Sequence, residues 1–133
     1  MKLLLDTHVW IWSQEDPDRL GPQTKRLLVG AEHENYVCTI STLELARLAA
    51  TGAVSVSIAL REWAERALRA IQARTVQVSH EIALEAYALA EPFHKDPADR
   101  LLVAASRCHE LTVLTADERI LTYHGVRSRD ARR

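Results

Sequence analysis

Residues 2–6, Lys-Leu-Leu-Leu-Asp, form a short apolar run that ends in an acid. Consecutive apolar residues without alternation are typical of a strand that is buried on both faces, as in a parallel sheet covered by helices. Three further β-rich runs and a weaker fourth one follow along the chain, at residues 36–40, 75–78, 111–114 and 125–128. The chain therefore offers four or five strands for one central sheet.

Helical patterns separate these predicted strands. Residues 57–72 carry one apolar stripe at helical spacing, with arginine and glutamate on the other face. We also predict helices over 23–34, from near Ser41 to Gly52, over 80–91 and over 98–110. Strands that alternate with helices predict an α/β domain with a mostly parallel sheet and helices on both faces.

Composition narrows the class of protein. The chain has 133 residues, a length typical of a single domain, and we find no linker or repeat that would divide residues 1–133. Lys and Arg total 17 against 18 Asp and Glu, so bulk charge does not indicate a strongly basic nucleic-acid binder. The arginine-rich tail from about residue 127 is predicted to be a frayed, solvated end.

Cysteine content and hydropathy indicate a reducing location. Cys38 and Cys108 form no CxxC motif, which argues against a disulfide framework or a zinc knuckle. The first apolar run is too short for the core of a signal peptide, and no segment approaches the length of a membrane span. We therefore expect a cytoplasmic protein.

Four acids follow or precede predicted strands in comparable positions. Asp6 ends the first strand, Glu44 lies one helical turn after the second, and Asp117 lies just beyond the 111–114 strand. Ligands of an open parallel sheet bind outside the carboxyl ends of its strands, so these three acids are expected to line one edge. Asp99 opens the helix before the 111–114 strand and reaches that edge only by suitable packing.

The acids of residues 94–100, His-Lys-Asp-Pro-Ala-Asp-Arg, also fit an ordinary helix start. Asp96 suits the N-cap, Pro97 the first helical position, and Asp99 the third, where negative charge favours the helix dipole. These residues alone do not decide between capping and a site.

The other three acids have structural alternatives as well. Ser41 and Glu44 have the spacing of a capping box, and Asp117 suits the N-cap of a short helix over 118–123. Asp6 is followed by no helix start that explains it, which leaves a simple Asx-turn as its alternative. Taken together, carboxylates at one sheet edge repel each other and lose hydration unless a cation compensates. All-oxygen donors select a hard ion, Mg²⁺ or Mn²⁺, which lowers the pKa of water and neutralises charge that develops at phosphorus.

Four motifs in order resemble those of the PIN domain in its VapC-type toxin ribonuclease branch. They are LLLDTHVWIW (3–12), STLELARLAATG (41–52), DPADRLLVAAS (96–106) and LTADERI (114–120), and the likeness runs from Met1 to about Val126. The resemblance implies a three-layer α/β/α fold and an acidic Mg²⁺ site that hydrolyses RNA phosphodiester bonds, with Mn²⁺ as a substitute ion. It further implies a homodimer, neutralised by a VapB-type antitoxin through which any binding to DNA is indirect.

Matched residue by residue, the resemblance implies that the site acids are Asp6, Glu44, Asp99 and Asp117. We assign Asp6 and Asp99 to direct metal contact, and Glu44 and Asp117 to orienting the water that attacks phosphorus. Asp96 matches a frequent acid without a catalytic role, so we assign it to capping.

Several neighbouring residues stay open. We expect Thr7 and Thr115 to make local turn hydrogen bonds rather than contacts to the site, and we assign no role to His94. Arg100 is interpreted either as a partner of a carboxylate or RNA phosphate, or as an exposed charge. Candidate RNA-binding charges are the arginine-rich tail and the helix that carries Arg61, Arg66 and Arg69.

Two other functions compete with a ribonuclease. A receiver-like or phosphatase-like α/β domain also gathers acids at strand ends, but position 8 is His where a D-x-D phosphatase needs Asp, and no lysine closes a late strand. A catalytically silent PIN-like module that only binds RNA or a partner is the second alternative, and the intact set of four acids argues against it.

Overall fold

A computed structural model describes residues 1–133 and contains one sheet of five parallel strands. The strand order is β3-β2-β1-β4-β5. The strands are β1 (Lys2–Leu5), β2 (Glu34–Cys38), β3 (Arg74–Val76), β4 (Thr112–Thr115) and β5 (Ser128–Asp130). The predicted α/β class is thereby confirmed, and the sheet that was predicted as mostly parallel with four or five strands has five, all parallel.

Seven α-helices and a 3₁₀ turn at Pro17–Arg19 connect the strands. The helices are α1 (Thr7–Glu15), α2 (Pro22–Val29), α3 (Thr39–Ala50), α4 (Leu60–Ala70), α5 (His80–Ala86), α6 (Pro97–His109) and α7 (Glu118–Leu121). Residues of α1 and α4 pack in one hydrophobic cluster, and residues of α5, α6 and α7 pack in a second. None of these helices is both long enough and apolar enough to span a membrane.

Strand β1 lies at the centre of the sheet and contributes to both hydrophobic clusters. Leu3 and Leu5 belong to the cluster with α1 and α4, whereas Leu4 belongs to the cluster with α5 and α6. All three side chains are fully buried. Successive side chains of a strand point to opposite faces of the sheet, so the two clusters cover both faces of β1. The prediction of a strand buried on both faces is confirmed.

The order of the strands brings the carboxyl end of β1 next to that of β4. Order reverses between these two strands, since β2 and β3 extend to one side of β1 and β5 to the other. The Asp6 amide donates to the carbonyl oxygen of Leu114 at 2.9 Å, so the chain stays paired one residue beyond β1. Helix α6 runs back across the sheet before β4, which places its N-terminus at this same edge.

Several predicted boundaries were wrong, and the fifth strand lies at Ser128–Asp130 instead of 125–128. Thr39 and Ile40, predicted as the end of the second strand, are the first residues of α3, although their β-branched side chains favour strands. The helix predicted over 80–91 ends at Ala86, whose carbonyl oxygen accepts a hydrogen bond from Arg100 instead of continuing the helical ladder. The helix predicted over 23–34 ends at Val29, before Gly30.

The arginine-rich tail is ordered, so the prediction of a frayed end was wrong. Residues Ser128–Asp130 form the edge strand β5, and Ala131 is fully buried. The carbonyl oxygen of Arg133 accepts from the Thr24 amide at 3.0 Å. A β-carbon at Gly21 would lie only 1.9 Å from the Arg133 carbonyl carbon, so this close approach needs glycine.

Shortening a central β1 side chain should destabilise the fold. We expect Leu4→Ala to lower the free energy of unfolding by about 2–5 kcal/mol, because a fully buried leucine leaves a cavity when truncated. Leu84→Ala is the matched control, because Leu84 is 76% exposed and its truncation should change the free energy by less than about 0.5 kcal/mol. Urea unfolding of both variants measures the difference, and equal losses would contradict the assigned core.

Candidate metal centre

A cleft of about 310 Å³ opens at the carboxyl end of β1. All four predicted site acids line it, although they come from four separate segments of the chain. The lining residues are Asp6, Thr7, His8, Trp12, Glu44, Arg47, Asp96, Asp99, Ala116, Asp117 and Arg119.

Asp6 is held by hydrogen bonds to both carboxylate oxygens. Oδ1 accepts from the Thr7 amide at 2.7 Å, and Oδ2 accepts from the Thr115 hydroxyl at 2.7 Å. Burial raises the pKa of Asp6, and these two hydrogen bonds only partly oppose the shift. The expectation that no helix explains Asp6 was wrong, because α1 begins at Thr7 and Asp6 is its N-cap.

Asp96 and Asp99 both lie at the start of α6 but make different contacts. Asp96 is the N-cap of α6, where its Oδ1 accepts from the amides of Ala98 at 2.9 Å and Asp99 at 3.3 Å. Asp99 occupies the first turn of α6, and its Oδ2 lies 2.6 Å from Nε2 of His94. Burial raises the pKa of Asp99 to about 6, and the negative charge of Asp6 adds to the shift, whereas the His94 contact opposes it.

Asp117 caps a helix and lines the cleft at the same time. Its Oδ1 accepts from the Arg119 amide at 2.9 Å, which makes it the N-cap of α7 as the sequence allowed. Burial raises the pKa of Asp117, but the hydrogen bonds and charge of Arg119 outweigh burial, so the pKa is lowered. The Thr115 hydroxyl that donates to Asp6 also accepts from the Asp117 amide at 3.0 Å. Thr115 thus joins two site acids directly, which is more than the expected turn contact.

Glu44 lies within α3 and caps nothing. The predicted capping box was wrong because α3 begins at Thr39, which places Ser41 inside the helix. The Ser41 hydroxyl accepts instead from the Thr7 hydroxyl at 2.9 Å and so connects α3 to the start of α1. The Glu44 carboxylate faces the cleft and pairs with Arg47 at 2.9 Å.

The tightest group of potential metal ligands is His94, Asp99 and Asp117, whose ligand atoms all lie within 4.8 Å of one another. His94 received no role from the sequence, because it has no partners there at the spacing of metal ligands. It precedes Asp99 by five positions, and the loop before α6 brings the two side chains together. Arg119 was also missed, and its Nη2 lies 3.1 Å from Asp117 Oδ2 and 3.8 Å from Asp99 Oδ2.

Arg100 points away from the cleft into the protein. Only 5% of the residue is exposed, so the alternative of a surface charge was wrong. Its guanidinium donates to the carbonyl oxygens of Ala86, Phe93 and His94 and pairs with Glu91 at 3.0 Å. A buried arginine with this many partners holds the loop before α6 rather than RNA.

The donor set fits a hard divalent cation. Besides Asp96, which caps α6, four carboxylates line the cleft, and only two guanidinium groups, those of Arg47 and Arg119, oppose them there. Both arginine side chains are 61% exposed, so solvent screens their charge and they compensate the cleft carboxylates only weakly. Carboxylate oxygens are the ligands that Mg²⁺ and Mn²⁺ prefer over softer metals.

Comparison with known proteins identifies the family of this fold and cleft. The model of the PIN domain family matches residues 3–125, which include all four site acids. The chain belongs to the PIN domain family. It is 34% identical over 121 residues to Ribonuclease VapC22 of Mycobacterium tuberculosis, a match that covers 91% of both proteins, so the VapC branch is the right one.

Solved structures show the same fold as this PIN domain. Those of VapBC2 from Rickettsia felis, bound to a promoter DNA fragment, and of DNA-bound VapBC from Salmonella typhimurium match with TM-scores of 0.70 and 0.68. The first is 13% identical and covers 97% of this chain and 98% of its own, and the second is 17% identical and covers 98% of each. FitAcB from Neisseria gonorrhoeae matches with a TM-score of 0.63 at 19% identity over 97% of both chains. The three-layer α/β/α architecture is therefore confirmed.

Removing the buried charge of Asp99 should change how stability depends on pH. The folded protein holds a proton on Asp99 up to about pH 6, whereas the ordinary carboxyl pKa is 3.8, so metal-free stability is lost as pH rises through this window. Asp99→Asn removes the titrating group. We therefore expect the variant to lose less stability than the wild type as pH rises, and to be at least as stable as the wild type at pH 8. Thermal unfolding in EDTA between pH 4 and pH 8 measures this.

Asp130→Asn provides a control of opposite sign. The hydrogen bonds and charge of Arg132 hold the pKa of Asp130 low, so its carboxylate stabilises the fold above the ordinary pKa, and the variant should be less stable at pH 8. If Asp99→Asn instead unfolded the PIN domain at pH 8, the Asp99 carboxylate would be a structural group.

Proposed function

We propose that this PIN domain is an Mg²⁺-dependent endoribonuclease that hydrolyses RNA phosphodiester bonds as the toxin of a toxin–antitoxin pair. The observation that carries the proposal is the convergence of Asp6, Glu44, Asp99 and Asp117 from four segments on one cleft of a PIN fold. The name of the 34% identical relative, a ribonuclease, supports the same chemistry.

Asp6 and Asp99 are the residues we assign to direct contact with the cation. Burial raises the pKa of both carboxyl groups, so each lacks the compensation that a positive charge would supply. Mn²⁺ substitutes for Mg²⁺ because the donors are oxygen atoms. When bound, such an ion supplies Lewis acidity towards a phosphate oxygen and makes water a better nucleophile at neutral pH.

Glu44 and Asp117 are assigned to orienting the attacking water. Both carboxylates face the cleft, and each is held by an arginine one turn or less along the chain, at 2.9 Å for Arg47 and 3.1 Å for Arg119. A carboxylate fixed in this way accepts a hydrogen bond from water in a defined direction. The two arginines lie at the mouth of the cleft, where they are suited to bind RNA phosphate oxygens.

The other arginines of the chain do not line the cleft. Arg66 of α4 pairs with Glu62 at 2.6 Å, and Arg132 pairs with Asp130 at 2.8 Å, just as the two cleft arginines pair with acids. Position at the cleft, and not a free charge, therefore distinguishes the two arginines that we assign to RNA phosphate. The formal net charge is −1, so we expect RNA affinity to depend on local phosphate contacts and not on the charge of the whole chain. Binding should accordingly weaken as the salt concentration rises.

A VapB-type antitoxin is the protein partner that we propose, together with a homodimeric state. Two solved structures with the same fold are of VapBC bound to DNA, one of them to a fragment of its own promoter. We therefore assign DNA contact to the antitoxin of this pair and not to the PIN domain. Co-purification with the antitoxin encoded beside this chain, followed by mass measurement of the free and bound protein, tests both assignments.

Cleavage of cellular RNA tests the proposed reaction. Purified protein should cleave total RNA with Mg²⁺ and not with EDTA, and Asp6→Ala or Asp99→Asn should lower the rate at least about a hundredfold, since a metal ligand contributes several kcal/mol to the transition state. Folding of each variant is checked by circular dichroism.

Asp96→Asn is the matched control, three residues from Asp99 in the same cleft. Asparagine also caps helices, so this variant should keep near wild-type activity. Folded wild-type protein that cleaves no RNA in the presence of Mg²⁺ would favour the silent binding module.

Metal binding should also be visible as stability. Millimolar Mg²⁺ should raise the melting temperature at pH 8, because an ion that binds only the native state stabilises it by mass action. The Asp6→Ala and Asp99→Asn variants should show a much smaller rise, and Asp96→Asn a normal one. Identical melting curves in Mg²⁺ and EDTA for the wild type would contradict a metal site.

A further inference from the structure

His94 is placed against Asp99 by a loop that the protein anchors firmly. Its Nε2 lies 2.6 Å from Asp99 Oδ2, and its ring lies 4.4 Å from that of Phe93, measured between centroids. Arg100 donates to the backbone carbonyl of His94 at 3.0 Å and to that of Phe93 at 3.0 Å. The histidine is therefore held from its backbone as well as from its ring.

The two ring nitrogens of His94 have different surroundings. Nε2 faces a carboxylate, whereas Nδ1 is buried and has no hydrogen-bond partner. If the hydrogen were on Nδ1, a buried N–H would lack an acceptor, which costs free energy. If the hydrogen is on Nε2, it donates to the carboxylate and no donor is left unsatisfied. The favourable tautomer carries its hydrogen on Nε2, where it donates to Asp99, and leaves only a lone pair on Nδ1.

The different surroundings of the two nitrogens distinguish two possible roles of His94, a metal ligand and a hydrogen-bond donor to Asp99. The short distances alone would allow both. A histidine that binds a metal through Nε2 must carry its hydrogen on Nδ1, and such a histidine almost always donates that hydrogen to an acceptor. Nδ1 of His94 meets no acceptor, so the ring lacks the support that a metal ligand needs. The contact to Asp99 needs no such support.

We propose that His94 is a positioning residue that donates from Nε2 to Oδ2 of Asp99 and so leaves Oδ1 of Asp99 to bind the cation. This inference rests on the proposed metal-dependent function, because it describes how one of its carboxylates is oriented. It excludes His94 from direct contact with the cation, because Nε2 carries the hydrogen that is donated to Asp99.

Two substitutions at position 94 separate the roles. Glutamine retains an N–H donor near the place of Nε2, whereas leucine retains bulk without a donor. We expect His94→Leu to weaken Mn²⁺ binding about 10–100-fold, as is usual when a group that orients a metal ligand is lost, and His94→Gln to restore most of it. Titration calorimetry with Mn²⁺ measures both, and His109→Leu, an exposed histidine at the other end of α6, is the control.

Equal weakening of Mn²⁺ binding by the glutamine and leucine substitutions would overturn the proposal. A ¹⁴N coupling from imidazole in the pulsed electron paramagnetic resonance spectrum of the Mn²⁺-loaded wild type would also overturn it, because it would show His94 bound to the ion. Melting curves of the metal-free variants show whether either one is merely unfolded.

A readout without metal separates this inference from the proposed function. Long-range ¹H–¹⁵N correlation spectra of the metal-free wild type report the tautomer of His94, and we expect the hydrogen on Nε2. A hydrogen on Nδ1 alone would overturn the positioning role even if Mn²⁺ binds. Wild-type protein that binds no Mn²⁺ but shows the Nε2 tautomer would contradict the proposed function and leave the His94–Asp99 contact supported.

Discussion

Burial of several carboxylates at one edge of the sheet is the constraint on which the architecture of this site depends. Burial raises the pKa of Asp6 and of Asp99, and the negative charge of Asp6 adds a smaller contribution at Asp99. Such an arrangement destabilises the metal-free fold, so the surrounding structure must hold the acids in place. It does so with hydrogen bonds from Thr7 and Thr115 to Asp6 and from His94 to Asp99.

The parallel sheet explains why these acids meet at all. Strands β1 and β4 are neighbours in the order β3-β2-β1-β4-β5, and both end at the edge where the cleft lies. Fully buried leucines keep β1 central, so Asp6 is fixed by the hydrophobic core on both sides of the sheet. Helix α6 runs in the opposite direction to the strands, so its N-terminal turn brings Asp99 to the same edge. The core thus stabilises an electrostatically unfavourable cluster that a cation would relieve.

The sequence predicted the fold class, the central strand and the four acids that line the cleft. These features follow from local patterns: an apolar run ended by an acid, helical periodicity, and motifs that resemble the PIN domain. Helix boundaries at Thr39 and Ala86 were wrong because tertiary contacts decided them, as with the Arg100 hydrogen bond to the Ala86 carbonyl. His94 and Arg119 were missed because their contacts depend on loop conformation and on a side chain that turns back towards Asp99, for which single-sequence spacing carries no signal.

Diffraction from crystals grown with Mn²⁺ shows directly whether a cation binds in the cleft, because anomalous scattering locates the ion independently of activity. We predict one strong anomalous peak in the cleft, with carboxylate oxygens of Asp6 and Asp99 within bonding distance of it. A cleft without such a peak in crystals that hold Mn²⁺ elsewhere, or an ion bound away from both carboxylates, would contradict it.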